Sequence, residues 1–319
     1  MRSPVATMTD SLLLSLLRCP RSGEPLRAEG ETALVAEPSG RRYRVSGGVP
    51  LLAEDGIGHD AQVQQQHYDG VAAAYVENLS YPHTQEYLAY LDQMLETVVE
   101  GRPIGIAAEI CCGSGEAFRQ FGERMAQGIG IDISANMLGA ARASFPDPRF
   151  LFVQGDANRL PLADSCLDTV FMVGGVHHIN DRRALFSEIH RVLKPGGRFY
   201  WREPVSDFLP WRMIRWVIYR LAPALDHLTE RPLRYHDTVP LLKELGFGVE
   251  AWKTCGFLGF CFLMNSDVLV FNRLFRFLPN IRDLSRALIR LDHAMTSTRL
   301  LSRQGLIVVG AAAKPEGSS

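Results

Sequence analysis

From residue 104 onward, apolar runs alternate with helical segments: IGIAAEI then EAFRQFGERMA, GIGIDI then ANMLGAARASF, RFLFVQG, LDTVFMV then RRALFSEIHRVL, and GGRFYWRE. The runs are apolar almost throughout, as strands are when both faces of their sheet are covered. Parallel neighbours need a crossover, and crossover helices supply that cover. The alternation therefore predicts an α/β fold with a doubly wound, mostly parallel sheet. Two later runs, GVEAWKT and LIVVGAAA, complete it to seven strands.

The flanks are different in character. Residues 9–20 read as an amphipathic helix, and YRVSGGVPLL at 43–52 as a strand, a glycine turn and a second apolar piece. This predicts a small module at 1–56 ahead of a main domain at 57–319. Residues 61–100 have helical spacing with many tyrosines (Tyr68, Tyr75, Tyr81, Tyr87, Tyr90). Residues 205–303 read as a helix-rich, aromatic insertion with 14 Lys or Arg against 9 Asp or Glu. Within it, LPWRMIRWVIYRLAPAL sets Trp211, Ile214, Ile218 and Leu221 at helical spacing among arginines. Such a helix can lie on a membrane surface, roof a greasy pocket, or form core or a homodimer face, and the pattern alone leaves these open.

Charge and cysteine usage narrow the function classes. A net charge of −1 argues against a general polyanion binder, so no nucleic-acid partner is expected. No apolar stretch approaches the ~20 residues that cross a bilayer. The six cysteines have neither the density nor the spacing of a disulfide scaffold, which favours a reducing cytoplasm.

The stretch AAEICCGSGEAF at 107–118 is a glycine turn after the first main strand. In an open parallel sheet, ligands sit beyond the carboxyl ends of the strands, and Gly113 and Gly115 let the backbone approach one closely. A dinucleotide fingerprint would place a small residue at 118, where this chain has Phe118. Acids close the first three strands in turn: Glu109, Asp132 and Asp156. Each has an alternative reading as a helix cap or a solvated strand end. Together they make an anionic pocket that suits a ligand with a positive centre and no phosphate. S-adenosylmethionine, with its sulfonium and ammonium groups, is such a ligand.

The blocks EICCGSG, GIDIS, GDANRLPLADSCLDTV, HHIND and EIHRVLKPGG, in that order, resemble the class I S-adenosylmethionine-dependent methyltransferases. The resemblance is to the branch similar to ubiquinone and menaquinone biosynthesis methyltransferases, and it covers about residues 105–204. It implies that Glu109, Gly113 and Gly115 cradle the methionine part, and that Asp132 binds ribose with Ile133 beside the adenine. Asp156 would read the adenine amine, with Ala157 following, and Gly174 joins this set. Tyr75, with Tyr68, lies in the aromatic helix that closes over the cofactor in the family. Cys111 stands where the usual turn has its first glycine.

For catalysis the candidates are His177 and His178 after the fourth strand and Glu203 after the fifth. Methyl transfer is an in-line displacement helped mainly by positioning and desolvation, so a base is not obligatory. The insertion occupies the family's acceptor side, which implies a hydrophobic small-molecule acceptor such as a lipid, isoprenoid or polyketide-like compound. Residues 11–54 also resemble the short zinc-ribbon-like module that precedes many bacterial methyltransferases. Tetrahedral zinc needs four N or S ligands, and this segment has Cys19 alone and no histidine before His59, so no structural metal is expected.

Overall fold

The computed structural model describes residues 12–53, 80–213, 216, 231–264 and 270–317. The chain opens with a short helix, α1 (Leu12–Leu16), and a four-stranded antiparallel sheet of β1 (Leu26–Glu29), β2 (Ala33–Ala36), β3 (Arg42–Ser46) and β4 (Val49–Pro50) in that order. Helix α1 stops well short of the expected residue 20, because Leu17 and Arg18 leave it to bridge Leu162 and Pro25. Gly47 and Gly48, both at positive φ, form the two-residue turn between β3 and β4, a conformation glycine adopts without strain.

This small sheet does not stand apart. Leu51 pairs in parallel with Gln154, so the chain beyond β4 extends the edge of the main sheet. Leu13, Leu17, Leu34, Tyr43 and Leu52 are buried in the same apolar cluster as Ile129, Ile131, Val153 and Leu162 of the main domain. Burying each such side chain contributes roughly 1.5–3 kcal/mol, so module and domain stabilise one another. Cys19 is buried there too, its sulfur 3.0 Å from the Tyr43 hydroxyl. Among the described residues no group of three or more His, Cys, Asp or Glu could hold a metal ion.

Helix α2 (Pro82–Val99) leads into the main sheet and buries Tyr87 and Tyr90. Five parallel strands follow: β5 (Gly105–Ile110), β6 (Met125–Asp132), β7 (Phe150–Gln154), β8 (Leu167–Val173) and β9 (Leu193–Pro204). Strand β10 (Gly248–Cys255) and strand β11 (Ile307–Ala313) complete the seven, in the spatial order β10-β11-β9-β8-β5-β6-β7 with β11 antiparallel to both neighbours. Helices α3 (Glu116–Phe121), α4 (Ala135–Ser144) and α5 (Arg182–Val192) make crossovers. Ser134 caps α4 by accepting from the Met137 N–H at 3.3 Å, and Asp181 caps α5 by accepting from the Ala184 N–H at 2.9 Å. At the opposite end of the sheet Asp168 accepts from the Ile106 N–H at 2.8 Å and pairs with Lys194 at 2.7 Å, tying β8 to β5 and β9.

Residues 205–303 contain the strand expected at GVEAWKT, β10, and helix α6 (Tyr235–Glu244) packed on it. The extra layer proper is α7 (Leu258–Leu263), a 3-10 stretch at Val270–Phe277 and α8 (Ile281–Thr296), all packed on α2. Asp292 of α8 holds this layer together. Its buried carboxylate accepts from the N–H groups of Phe257, Gly259 and Phe260, at 2.9, 2.9 and 2.8 Å, at the start of α7. Gly259 permits the close crossing, since a Cβ there would stand 2.7 Å from the Leu288 Cβ. Of LPWRMIRWVIYRLAPAL, residues 209–213 and 216 are helical; Ile214, Ile218 and Leu221 lie outside the described residues. Among the described residues no helix is long and apolar enough to cross a membrane.

Candidate active site

A cleft opens beyond the carboxyl ends of β5, β6, β7 and β8. Its wall contains Gly113, Asp132, Ile133, Asp156, Ala157, Gly174 and His178 from the sequence expectation. It also contains Ser114, Glu116, Asn158 and Asn180, which sequence reasoning did not single out. Their signal was present in their position, each standing within two residues of a predicted contact. Tyr75 and Tyr68 lie outside the described residues.

The glycine turn is built from three strained or permissive positions. Gly113 and Gly115 have φ of 49° and 92°, and Cys111 takes φ 54°, a left-handed conformation that costs a side-chain-bearing residue roughly 1–2 kcal/mol. Cys111 is accommodated because the residue packed against it is glycine: a Cβ at Gly175 would lie 2.6 Å from that of Cys111. Phe118, the residue that departs from a dinucleotide fingerprint, packs into space left by Gly128, where a Cβ would stand 2.7 Å from its ring. Phe145, Phe150 and Phe152 surround it with ring centroids 5.0–5.9 Å away. Helix and strand are thus separated by an aromatic cluster instead of meeting closely.

The acids divide into those that face the cleft and those that brace it. Asp132 lines the cleft and accepts from the Gly113 N–H at 2.8 Å through Oδ2 and from the Ser134 N–H at 2.9 Å through Oδ1. A carboxylate has about four acceptor sites, so two backbone donors leave capacity for ligand hydroxyls. Asp156 accepts from the Asn158 N–H at 2.8 Å and faces the same cleft. Glu109 is set behind the turn. It is buried, its Oε1 accepts from the Ala117 N–H at 2.9 Å, and burial pushes its carboxyl pKa well up. Its Oε2 has no hydrogen-bond partner among the described residues. Gly115 likewise shapes the start of α3 without reaching the cleft wall.

Glu203 is also a bracing residue. Fully buried, it accepts through Oε1 from the N–H groups of Gly175 and Val176, at 2.7 and 2.8 Å, and through Oε2 from His177 Nδ1 at 2.8 Å. It therefore holds the turn after β8 that carries Gly174 and His178. The His177 ring is 3.9 Å from that of His178, and of the two only His178 lines the cleft.

The cleft is electrostatically one-sided. Asp132, Asp156 and Glu116 line it and no lysine or arginine does, among the described residues, although Glu116 is paired behind the wall with Arg119 at 2.9 Å. Cys111 registers the same field. Burial first, then the carboxylates of Asp132, Glu203, Asp156 and Glu109, push its thiol pKa well above the ordinary value, so the sulfur stays protonated and unreactive at neutral pH.

Comparison with known proteins agrees with this geometry. Residues 108–201 match the model of the family described as "Methyltransferase domain". The 2-phytyl-1,4-naphtoquinone methyltransferase of Nostoc punctiforme is 34% identical over 99 residues, 29% of this chain and 43% of that protein. The ubiquinone/menaquinone biosynthesis C-methyltransferase UbiE of a Caulobacter species is 40% identical over 82 residues, 25% of this chain and 32% of that protein. The chain thus spans less than half the length of either relative. Haemonchus contortus phosphoethanolamine N-methyltransferase 2, solved in complex with S-adenosyl-L-methionine, shares the fold with a TM-score of 0.52 at 20% identity, over 83% of this chain and 62% of that one. Over residues 108–201 the chain is thus similar to methyltransferase domains.

Proposed function

We propose that the protein transfers a methyl group from S-adenosylmethionine to an O, N or C nucleophile of a hydrophobic small molecule. The observation that carries this reading is the cleft's charge. Asp132 and Asp156 face the cleft, its third carboxylate, Glu116, is offset by Arg119, and no cationic side chain lines it among the described residues, which suits a cationic ligand and opposes a pyrophosphate. The relatives named as quinone methyltransferases support a hydrophobic, quinone-like acceptor. All six cysteines are free, in keeping with a cytoplasmic protein.

The residues divide the work as follows. Asp132 binds ribose hydroxyls, and Asp156 accepts from the adenine amine. Ile131, Ile133 and Ala157 supply the apolar walls for the base, while Gly113 and Ser114 bring backbone close to the methionine end. The bound cofactor supplies an electrophilic sulfonium methyl. Glu203 and His177 fix the turn from which His178 faces the cleft, the position from which an imidazole can accept a proton from an acceptor hydroxyl or amine. Burial of the acceptor excludes water and sets its nucleophile in line.

Incubation with S-adenosylmethionine labelled in the methyl group and a demethylated quinone should move label into the organic phase. Tight cofactor binding without label transfer to any apolar acceptor tried would instead mark a cofactor-binding protein that does not methylate.

A further inference from the structure

The extra layer and the helix before it expose apolar side chains at helical spacing, which a water-facing surface does not need. At residues 209–216 these are Leu209, Met213 and Trp216, each about 60% exposed. On α7 they are Leu258 and Phe262, one turn apart, and on α8 Leu284 and Leu291, two turns apart. Phe277, 71% exposed, ends the 3-10 stretch. The elements are neighbours: Phe208 meets Phe257 with ring centroids 5.0 Å apart, α7 crosses α8, and the 3-10 stretch packs on both.

Charge says what would cover this surface. Residues 270–300 contain six arginines and two aspartates. One of those aspartates, Asp292, is buried as the brace of α7. Arg282 and Arg286 share Glu86, whereas Arg290 and Arg299 form no ion pair among the described residues. Apolar residues interleaved with arginines fit the boundary of an anionic bilayer, where rings enter the acyl region and guanidinium groups remain among phosphates.

We propose that this layer docks the protein on membranes of anionic lipid. The proposal is independent of methyl transfer, since it concerns a surface and not the cleft.

The test is vesicle co-sedimentation without any methyl acceptor, using phosphatidylcholine alone or equimolar phosphatidylcholine and phosphatidylglycerol. The full chain should sediment with the anionic vesicles only. Phe262→Ser with Phe277→Ser, and separately Arg290→Glu, should each weaken that binding by about tenfold or more. Both variants should keep wild-type circular dichroism and S-adenosylmethionine affinity. Protein that stays in the supernatant with both kinds of vesicle overturns the proposal. So does light scattering that shows a dimer converted to monomer by the paired phenylalanine change while vesicle binding is unaltered, since the face would then join two copies of this chain.

Discussion

The Nδ1–H of His177 donates to Oε2 of Glu203 across 2.8 Å, and Glu203 also takes the backbone donors of Gly175 and Val176. A residue engaged in this way positions the turn after β8. Glu203→Gln should therefore destabilise the protein by about 2–3 kcal/mol in urea, the scale of hydrogen bonds to a buried charged group. It should also weaken S-adenosylmethionine binding, because Gly174 and His178 move with the turn. Unchanged cofactor affinity with only kcat reduced would show that Glu203 acts on the acceptor instead.

Cys111 and Gly175 form a pair in which each tolerates the other. Cys111→Gly should exceed Cys111→Ala in stability by about 1 kcal/mol, since both remove the sulfur and only glycine removes the left-handed strain. Gly175→Ala should be strongly destabilising in the wild type, where its Cβ would collide with Cys111, and much less so combined with Cys111→Gly. Equal costs of Gly175→Ala in the two backgrounds, measured by chemical denaturation, would contradict the contact.

Glu109 predicts a pH dependence. Burial raises its folded-state pKa well above the ordinary carboxylate value, so the folded state favours the protonated form. Below about pH 4.5 both states hold the proton and the group costs nothing; as pH rises above that, the unfolded state releases it first and stability falls until the folded pKa is passed. Glu109→Gln should flatten this component. The urea midpoint of the wild type should drop relative to the variant as pH rises above about 4.5, and a constant difference between the two would refute the linkage.

The sheet could be read from the sequence because covered parallel strands are apolar on both faces, as β5 and β6 show. The ends of those strands were equally readable, so Asp132, Asp156 and Gly113 fall where spacing put them. Glu109 and Glu203 were harder, since a carboxylate at a strand end looks the same whether it turns toward ligand or back toward buried N–H groups. The sequence marked Cys111 as unusual but could not show that Gly175 makes room for it. Within residues 205–303 the run GVEAWKT was readable as the strand that became β10, whereas the packing of α7 and α8 on α2 is long-range and leaves no local signal.

The central claim is that the anionic cleft holds S-adenosylmethionine. Calorimetric titration of the full chain with S-adenosylmethionine and S-adenosylhomocysteine, with NADH as control, tests it most directly. The account predicts micromolar binding of the first two and none of NADH. Affinity should fall at least about tenfold in Asp132→Ala, which loses both ligand contacts and the brace on Gly113. NADH binding, or S-adenosylmethionine affinity indifferent to Asp132 and Asp156, would contradict it.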